Sequence, residues 1–353
     1  MANSKKFKVT IDNTKVTGDL TDYPVYVALA DLGSGHGYWS SAQADGDDVR
    51  VYESDGTTEV PVDLIEIDTT AKTGRLRFKA TGTLSSSADT DFWVEYGDAG
   101  LSRYAEDATY GRENVWTSYN QVYTMDGASY SDIIDRTSSD RDVTSENNTP
   151  DYEQAGNLGK CVKLDDAGGV EYLSMDTFNS SDYTGGIYLT AWAKTDTTSG
   201  NQQFMEVQYS GTSGATMHVL GTGFRVQIYI SGMKSAYIGG QHTANVWTKW
   251  SAWWDGTTWN TLKNGSQIKT QSQSGTATMS SVGTNQIGDQ SWYPRGTLYG
   301  FVGISGNSNT FSNDWDTTSY NNENSPSTFY TLGAEEDTGA GGGDTFTPQT
   351  KFF

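Results

Sequence analysis

Short runs in which apolar and polar residues alternate one by one recur along this chain, and no other feature constrains its fold as strongly. Phe7, Val9 and Ile11 alternate with Lys8 and Thr10. Val25, Val27 and Leu29 repeat the pattern, as do Val49 with Val51, then Leu76, Phe78 and Ala80, then Phe92, Val94 and Tyr96. A period of two places every second side chain on one face, which is the signature of a strand buried on one side. Turn pairs separate the runs: Asp45-Gly46, Asp55-Gly56, Thr73-Gly74 and Gly97-Asp98. Pro24 and Pro61 stand near strand starts, where a missing N–H is tolerated. The spacing predicts a first sandwich of roughly 100 residues.

The second half continues in the same way. Ile187, Leu189, Ala191 and Ala193 alternate with Tyr188, Thr190 and Trp192, and Phe224, Val226, Ile228 and Ile230 alternate with Arg225, Gln227 and Tyr229. Trp247 to Trp254 reads as a long strand that turns at Asp255-Gly256, returns through Trp259 and Leu262, and turns again at Asn264-Gly265. Asn-Gly between extended runs is the strongest short hairpin signal. Helix is scarce: the connector Tyr104 to Tyr119 holds about one turn, and Asp314 to Asn321 reads as one short helix. The expected organisation is a sandwich over 1–104, a connector over 105–120, a second sandwich over 121–336, and a Gly-rich linker with a tail over 337–353.

Composition bounds the function. The chain has 353 residues, a formal net charge of −21 and 40 glycines. So acidic a surface lacks the basic footprint that nucleic acid or anionic lipid requires. No apolar run reaches the ~20 residues of a membrane span. Cys161 is the only cysteine, so neither an intramolecular disulfide nor a thiolate zinc site can form. Met1 to Thr10 has no apolar leader segment. Together these predict synthesis in a reducing cytoplasm.

Catalytic patterns are thin. Glu66-Ile67-Asp68 begins the alternating carboxylates of some glycoside hydrolases, but Thr69-Thr70 ends them. There is no Gly-x-Ser-x-Gly elbow. Gly33 to Gly37 (GSGHG) lacks the Lys-Ser/Thr of a phosphate loop and reads as a flexible loop. His36, His218 and His242 are far apart and read as lone surface groups. Aromatic faces suit sugar rings better. Trp292, Tyr293 and Arg295 share the loop Gln290 to Arg295, Trp259 stands near a turn, and Trp315 near a third. Trp292, Tyr293, Arg295 and Trp259 are the candidate ligand-binding residues. Trp192, Trp250 and Trp254 read as core.

Specific strings carry a resemblance. Asp45 to Glu59, Phe92 to Gly97 and Tyr110 to Trp116 resemble a domain of unknown function that precedes laminin G-like modules in bacterial, archaeal and phage surface proteins. Gly159 to Leu164, Leu189 to Lys194, Trp253 to Gly265, Ile287 to Asp289 and Tyr320 to Gly333 resemble a concanavalin A-like, laminin G-like module. The resemblance implies an all-β protein of two antiparallel β-sandwich domains, the second a concanavalin A-like jelly roll. It implies that Gln121 to Asp126 lies beside Phe329 to Glu335. It requires no cofactor, and it implies that one calcium ion could be held near Asp126, Asp132, Asp135 and Asp165. The chain departs from the family at Phe301-Val302, where an Asp-Glu pair is common, and at Thr124, where His is common.

The resulting expectation is a non-enzymatic structural or adhesion protein on a particle surface, foremost a bacteriophage virion protein (a fibre, decoration or tail component) with a carbohydrate-binding module. The alternatives are a bacterial or archaeal cell-surface adhesin and a glycoside hydrolase-like enzyme. The expected partners are a surface glycan or host receptor, other virion or surface proteins through the Phe-bearing tail (Phe346, Phe352, Phe353), and further copies of the chain. Nucleic acid and membrane insertion are not expected.

Overall fold

The computed structural model describes residues 4–165, 169–183, 185–280, 282–288, 296–306 and 310–338. The alternating runs become strands. The first sandwich contains β1 (Lys5–Ile11), β2 (Leu20–Ala28), the short helix α1 (Tyr38–Ser41), β3 (Arg50–Glu53), β4 (Glu59–Val60), β5 (Val62–Asp68), β6 (Thr73–Leu84) and β7 (Thr90–Tyr96). One sheet has the order β2-β6-β5 and the other contains β1-β7-β3-β4. In β1, Phe7, Val9 and Ile11 are fully buried. Lys6, on the opposite face, lies 4.0 Å over the Trp93 ring.

The second sandwich begins with β8 (Gln121–Tyr123), β9 (Val143–Asn147), β10 (Asp151–Gly156), β11 (Gly159–Leu164) and β12 (Tyr172–Met175). It continues with β13 (Ile187–Lys194), β14 (Asn201–Tyr209), β15 (Ala215–Leu220), β16 (Gly223–Tyr229) and β17 (Met233–Ile238). Last come β18 (Thr248–Trp254), β19 (Thr258–Lys263), β20 (Ser266–Ser272), β21 (Thr284–Gly288) and β22 (Thr297–Ser305). An eight-stranded sheet has the order β10-β11-β22-β13-β18-β19-β20, with β8 also on β22. A seven-stranded sheet has the order β17-β16-β15-β14-β21-β12-β9. Their facing sides enclose one apolar core that includes Leu189, Trp250, Trp254, Phe204, Met217 and Val226. The β19–β20 hairpin turns at Asn264 (φ 51°) and Gly265 (φ 71°), the two positive angles a tight primed turn demands.

The chain then returns to its beginning. Helix α2 (Asn313–Asn324), one turn α3 (Pro326–Phe329), β23 (Tyr330–Leu332) and β24 (Glu336–Asp337) complete the described residues. The Ser312 side chain caps α2 by accepting from the Trp315 N–H. Here one expectation is corrected. Tyr330–Leu332 pairs antiparallel with β1, Val9 opposite Leu332, and not with the start of the second sandwich. Gln121–Tyr123 pairs instead with β22, Val302 opposite Tyr123. The physical reason is edge availability. β22 offers β8 a free stretch beyond β11, whereas β1 has an unpaired edge that the returning chain closes.

The connector is folded in. Val115, Trp116 and Tyr119 are buried in the core of the first sandwich, which continues through Tyr188, Trp192 and Phe301 on the outer side of the eight-stranded sheet. Trp192 is thus buried outside the inter-sheet core, stacked on Tyr320 of α2 with centroids 5.7 Å apart. The charged β5 and β6 side chains facing the second sandwich have partners. Arg75 meets Asp126 at 2.8 Å, Arg136 meets Asp63 at 2.8 Å, and Arg77 meets Glu323 at 2.8 Å.

Candidate functional site

The outer side of the eight-stranded sheet is covered by the first sandwich and α2, so the outer side of the seven-stranded sheet is the broad face left for a ligand. Alternation fixes which side chains stand there. Leu173, Ile287, Met205, Met217, Val226 and Ala236 point into the core. Their neighbours one position away must point out.

Register joins these neighbours into rows. Ser145 lies opposite Ser174, Ser174 opposite Gln286, and Gln286 opposite Glu206. Glu206 lies opposite Thr216, Thr216 opposite Gln227, and Gln227 opposite Ser235. One polar residue from each strand of the seven-stranded sheet therefore forms a continuous row, with Glu206 on its central strand. A second row runs beside it: Gln203 opposite His218, His218 opposite Arg225, and Arg225 opposite Tyr237.

The middle of the face is buried and hydrogen-bonded. Gln203 Nε2 donates to Glu206 Oε1 at 2.9 Å, and Thr284 Oγ1 donates to Glu206 Oε2 at 2.6 Å. Arg225 Nε donates to His218 Nε2. That bond requires a neutral imidazole with its proton on Nδ1, within 3.5 Å of Thr216 Oγ1. Burial, then the Arg225 charge, holds the His218 pKa well below the usual imidazole value. The rim is open: Tyr237 is 46% and Met233 48% exposed on the edge strand β17. The face thus combines a buried, internally hydrogen-bonded centre of carboxylate and amides with a rim that bears an exposed aromatic ring, group types that suit a polyhydroxylated ligand.

The residues singled out from sequence fall as follows. Trp292, Tyr293 and Arg295 lie outside the described residues; they follow Gly288, the last residue of β21, in the chain. Trp259 is a correction: it is fully buried in the inter-sheet core. The turn ends at Thr257, so Trp259 falls on an inward position of β19, opposite Trp254. Trp315 is likewise buried, with its ring 5.1 Å from Tyr23. His218 and His242 are buried rather than on the surface. Glu66 is occupied by Arg75 at 3.1 Å.

The four candidate calcium aspartates have separate partners. Asp126 accepts from Arg75, and Asp132 from Ser129 Oγ at 2.8 Å. Asp165 meets Lys163 at 3.2 Å. Asp135 is buried and takes backbone N–H groups of Val122, Thr137 and Arg141. Burial raises its pKa to about 6 against those donors. Among the described residues no three His, Cys, Asp or Glu side chains gather as metal ligands.

Sequence reasoning missed Gln203, Glu206, His218, Arg225 and Gln227. The signal was present: beside Thr216, the polar members of β14, β15 and β16 are amides, an acid, an imidazole, a guanidinium and two tyrosines, with no lysine.

Fold and site together define an all-β protein of packed antiparallel sandwiches carrying an extended polar sheet face. No family model and no curated protein matches the chain. Among solved structures, the binding domain of botulinum neurotoxin serotype G is 12% identical with a TM-score of 0.45, covering 57% of this chain and 50% of its own. The binding domain of botulinum neurotoxin DC, solved in complex with SialylT, is 10% identical with a TM-score of 0.48, covering 58% and 51%. The chain spans about half the length of these structures.

Proposed function

We propose that this protein is a non-catalytic, glycan-binding surface protein whose binding face is the outer side of the seven-stranded sheet. The observation that carries this reading is the polar row from Ser145 to Ser235, continuous across every strand of that sheet. Ser145, Ser174, Thr216 and Ser235 would suit any outer sheet face; what distinguishes the row is Gln286, Glu206 and Gln227 near its centre. A buried Gln–Glu–Thr and Arg–His network costs desolvation and specifies donors and acceptors. Among the described residues of the row Glu206 is the only carboxylate. Glycoside hydrolysis requires two carboxylates flanking the scissile bond, so the row favours binding over cleavage.

The finer reading is a virion surface protein, a fibre, decoration or tail component of a bacteriophage. Its support is the acidic, turn-rich β composition with one cysteine and the resemblance to modules of phage and cell-surface proteins. The tail beyond Thr338 would dock to a particle partner through its phenylalanines, and copies of the chain would assemble symmetrically.

Glycan-array binding of the purified protein in calcium-containing buffer tests the reading. Specific binding that weakens about tenfold in Tyr237→Ala and in Trp292→Ala is the expected result. Binding unchanged by both would place the ligand elsewhere, and clean absence of binding across a broad array would overturn the glycan reading.

A further inference from the structure

A cavity, independent of the sheet face, lies where the first sandwich, the connector and the second sandwich meet. Its volume is about 350 Å³, within the range of small-molecule sites. Arg50, Arg103, Arg112 and Arg136 line it, four of the nine arginines in a chain of net charge −21. Val49, Val62 and Leu64 supply an apolar wall, and the Tyr104 ring lies against the Arg50 guanidinium at 4.2 Å.

Around this cavity donors and acceptors do not balance. The lining carboxylates all have donors: Asp47 accepts from Arg103 at 3.0 Å, Glu106 from Arg112 at 2.6 Å, and Asp63 from Arg136 at 2.8 Å and Trp116 at 2.9 Å. Each guanidinium carries five N–H donors. Arg50 uses donors on the carbonyls of Asp47, Val49 and Ser102 and has the Glu59 carboxylate 3.8 Å from its Nε, and Arg103 uses donors on Asp47 and the Asp45 carbonyl. Arg136 directs its donors to Asp63 and Thr124, with the Asp126 carboxylate 4.0 Å from its Nη2. Arg112 makes its bond through Nη2, and its Nε is buried with no acceptor among the described residues. Each guanidinium thus has a carboxylate beside it but commits only part of its five donors, and the buried Arg112 Nε–H is left to be satisfied. The complement is a ligand rich in acceptors, and a carboxylate supplies two to a guanidinium at once. The apolar wall and tyrosine ring add a demand for a ring with a hydrophobic face, and the carboxylates can accept its hydroxyls.

We propose that this cavity binds a carboxylate-bearing sugar ring of the hexuronic acid class, its carboxylate meeting the arginine donors and its ring face resting on the apolar wall. Isothermal titration of the full chain with glucuronate, with glucose and inorganic phosphate as controls, tests this. The expected result is saturable glucuronate binding at least tenfold tighter than either control, weakened at least tenfold in Arg112→Met with the melting temperature unchanged. Arg103→Met, at the more exposed side of the cavity, serves should Arg112→Met fail to fold, and the same loss is expected. Absence of saturable glucuronate binding overturns the proposal. So does equal binding of glucose, which removes the need for charge, equal binding of phosphate, which removes the need for a ring, or full affinity in a folded arginine variant, which removes the site.

Discussion

Arg77 donates through Nη2 to Glu323 Oε1 at 2.8 Å, across 246 residues of sequence, with both side chains buried. Glu323 also accepts from Lys249 Nζ at 2.9 Å and from Trp192 Nε1 at 2.7 Å. One carboxylate on α2 therefore ties β6 of the first sandwich to β13 and β18 of the second.

Removing that carboxylate leaves two buried cations without their shared anion. Glu323→Gln is expected to destabilise the fold by about 3–5 kcal/mol. Denaturant unfolding of wild type and variant measures it. A loss under about 1 kcal/mol would mean that water or relaxation replaces the anion.

The same carboxylate sets an acid dependence. Burial alone would raise its pKa, but Lys249 and Arg77 outweigh burial and bring it to about 2, below the ordinary 4.5. The contribution is therefore complete above pH 4.5 and is lost as pH falls through about 2. The stability gap between wild type and Glu323→Gln should shrink over that window. His218 acts higher. Its folded pKa is depressed below 6.5, so the unfolded chain takes up a proton first and stability falls as pH drops below 6.5. Thermal melts from pH 3 to 8 should show that decline weakened in His218→Asn.

Trp259 and Tyr237 should separate folding from binding. Trp259→Ala opens a cavity in the inter-sheet core and is expected to cost about 3–5 kcal/mol. Tyr237→Ala, at the open rim, should leave the unfolding midpoint within ~0.5 kcal/mol of wild type while lowering glycan affinity. Equal destabilisation by both would assign Tyr237 to packing.

Gly265 couples a turn to a helix. Its φ is 71°, and a Cβ there would lie 2.8 Å from Thr317 Cα and 3.0 Å from Tyr320 Cβ, both on α2. Gly265→Ala should cost about 1–3 kcal/mol through backbone strain, with more from displacing α2. Gly240 has a similar φ of 70°, and a Cβ there would meet no atom within 4 Å, so Gly240→Ala gives the strain without a neighbour to displace. Thermal unfolding of the two variants side by side gives the difference, and equal losses would mean that α2 yields to the added methyl without cost.

The returning segment is part of the first sandwich. A chain ending at Ser312 loses α2 and β23, uncovers Tyr23 and leaves the β1 edge open. It should lose its cooperative transition, read by near-ultraviolet circular dichroism. A sharp, wild-type-like transition would show that β1 to β7 close without it.

The strands themselves were legible in the sequence because period-two alternation is a local property: Phe7-Val9-Ile11 and Phe224-Val226-Ile228 each state which face is buried without reference to any partner. Asn264-Gly265 was legible for the same reason, since positive φ is a demand made by two adjacent residues. What the local pattern could not state is which edge a strand joins. Tyr330–Leu332 fits several edges equally well by propensity, and only the closed packing of both sandwiches leaves β1 as the one it meets. Trp259 looked like a turn residue because one position separates a loop from an inward-facing site. The candidate binding face is tertiary in the fullest sense. Ser145, Glu206 and Ser235 are far apart in the chain, and their alignment exists only because seven strands settle into one register, which hydrogen bonds between strands decide and sequence order does not.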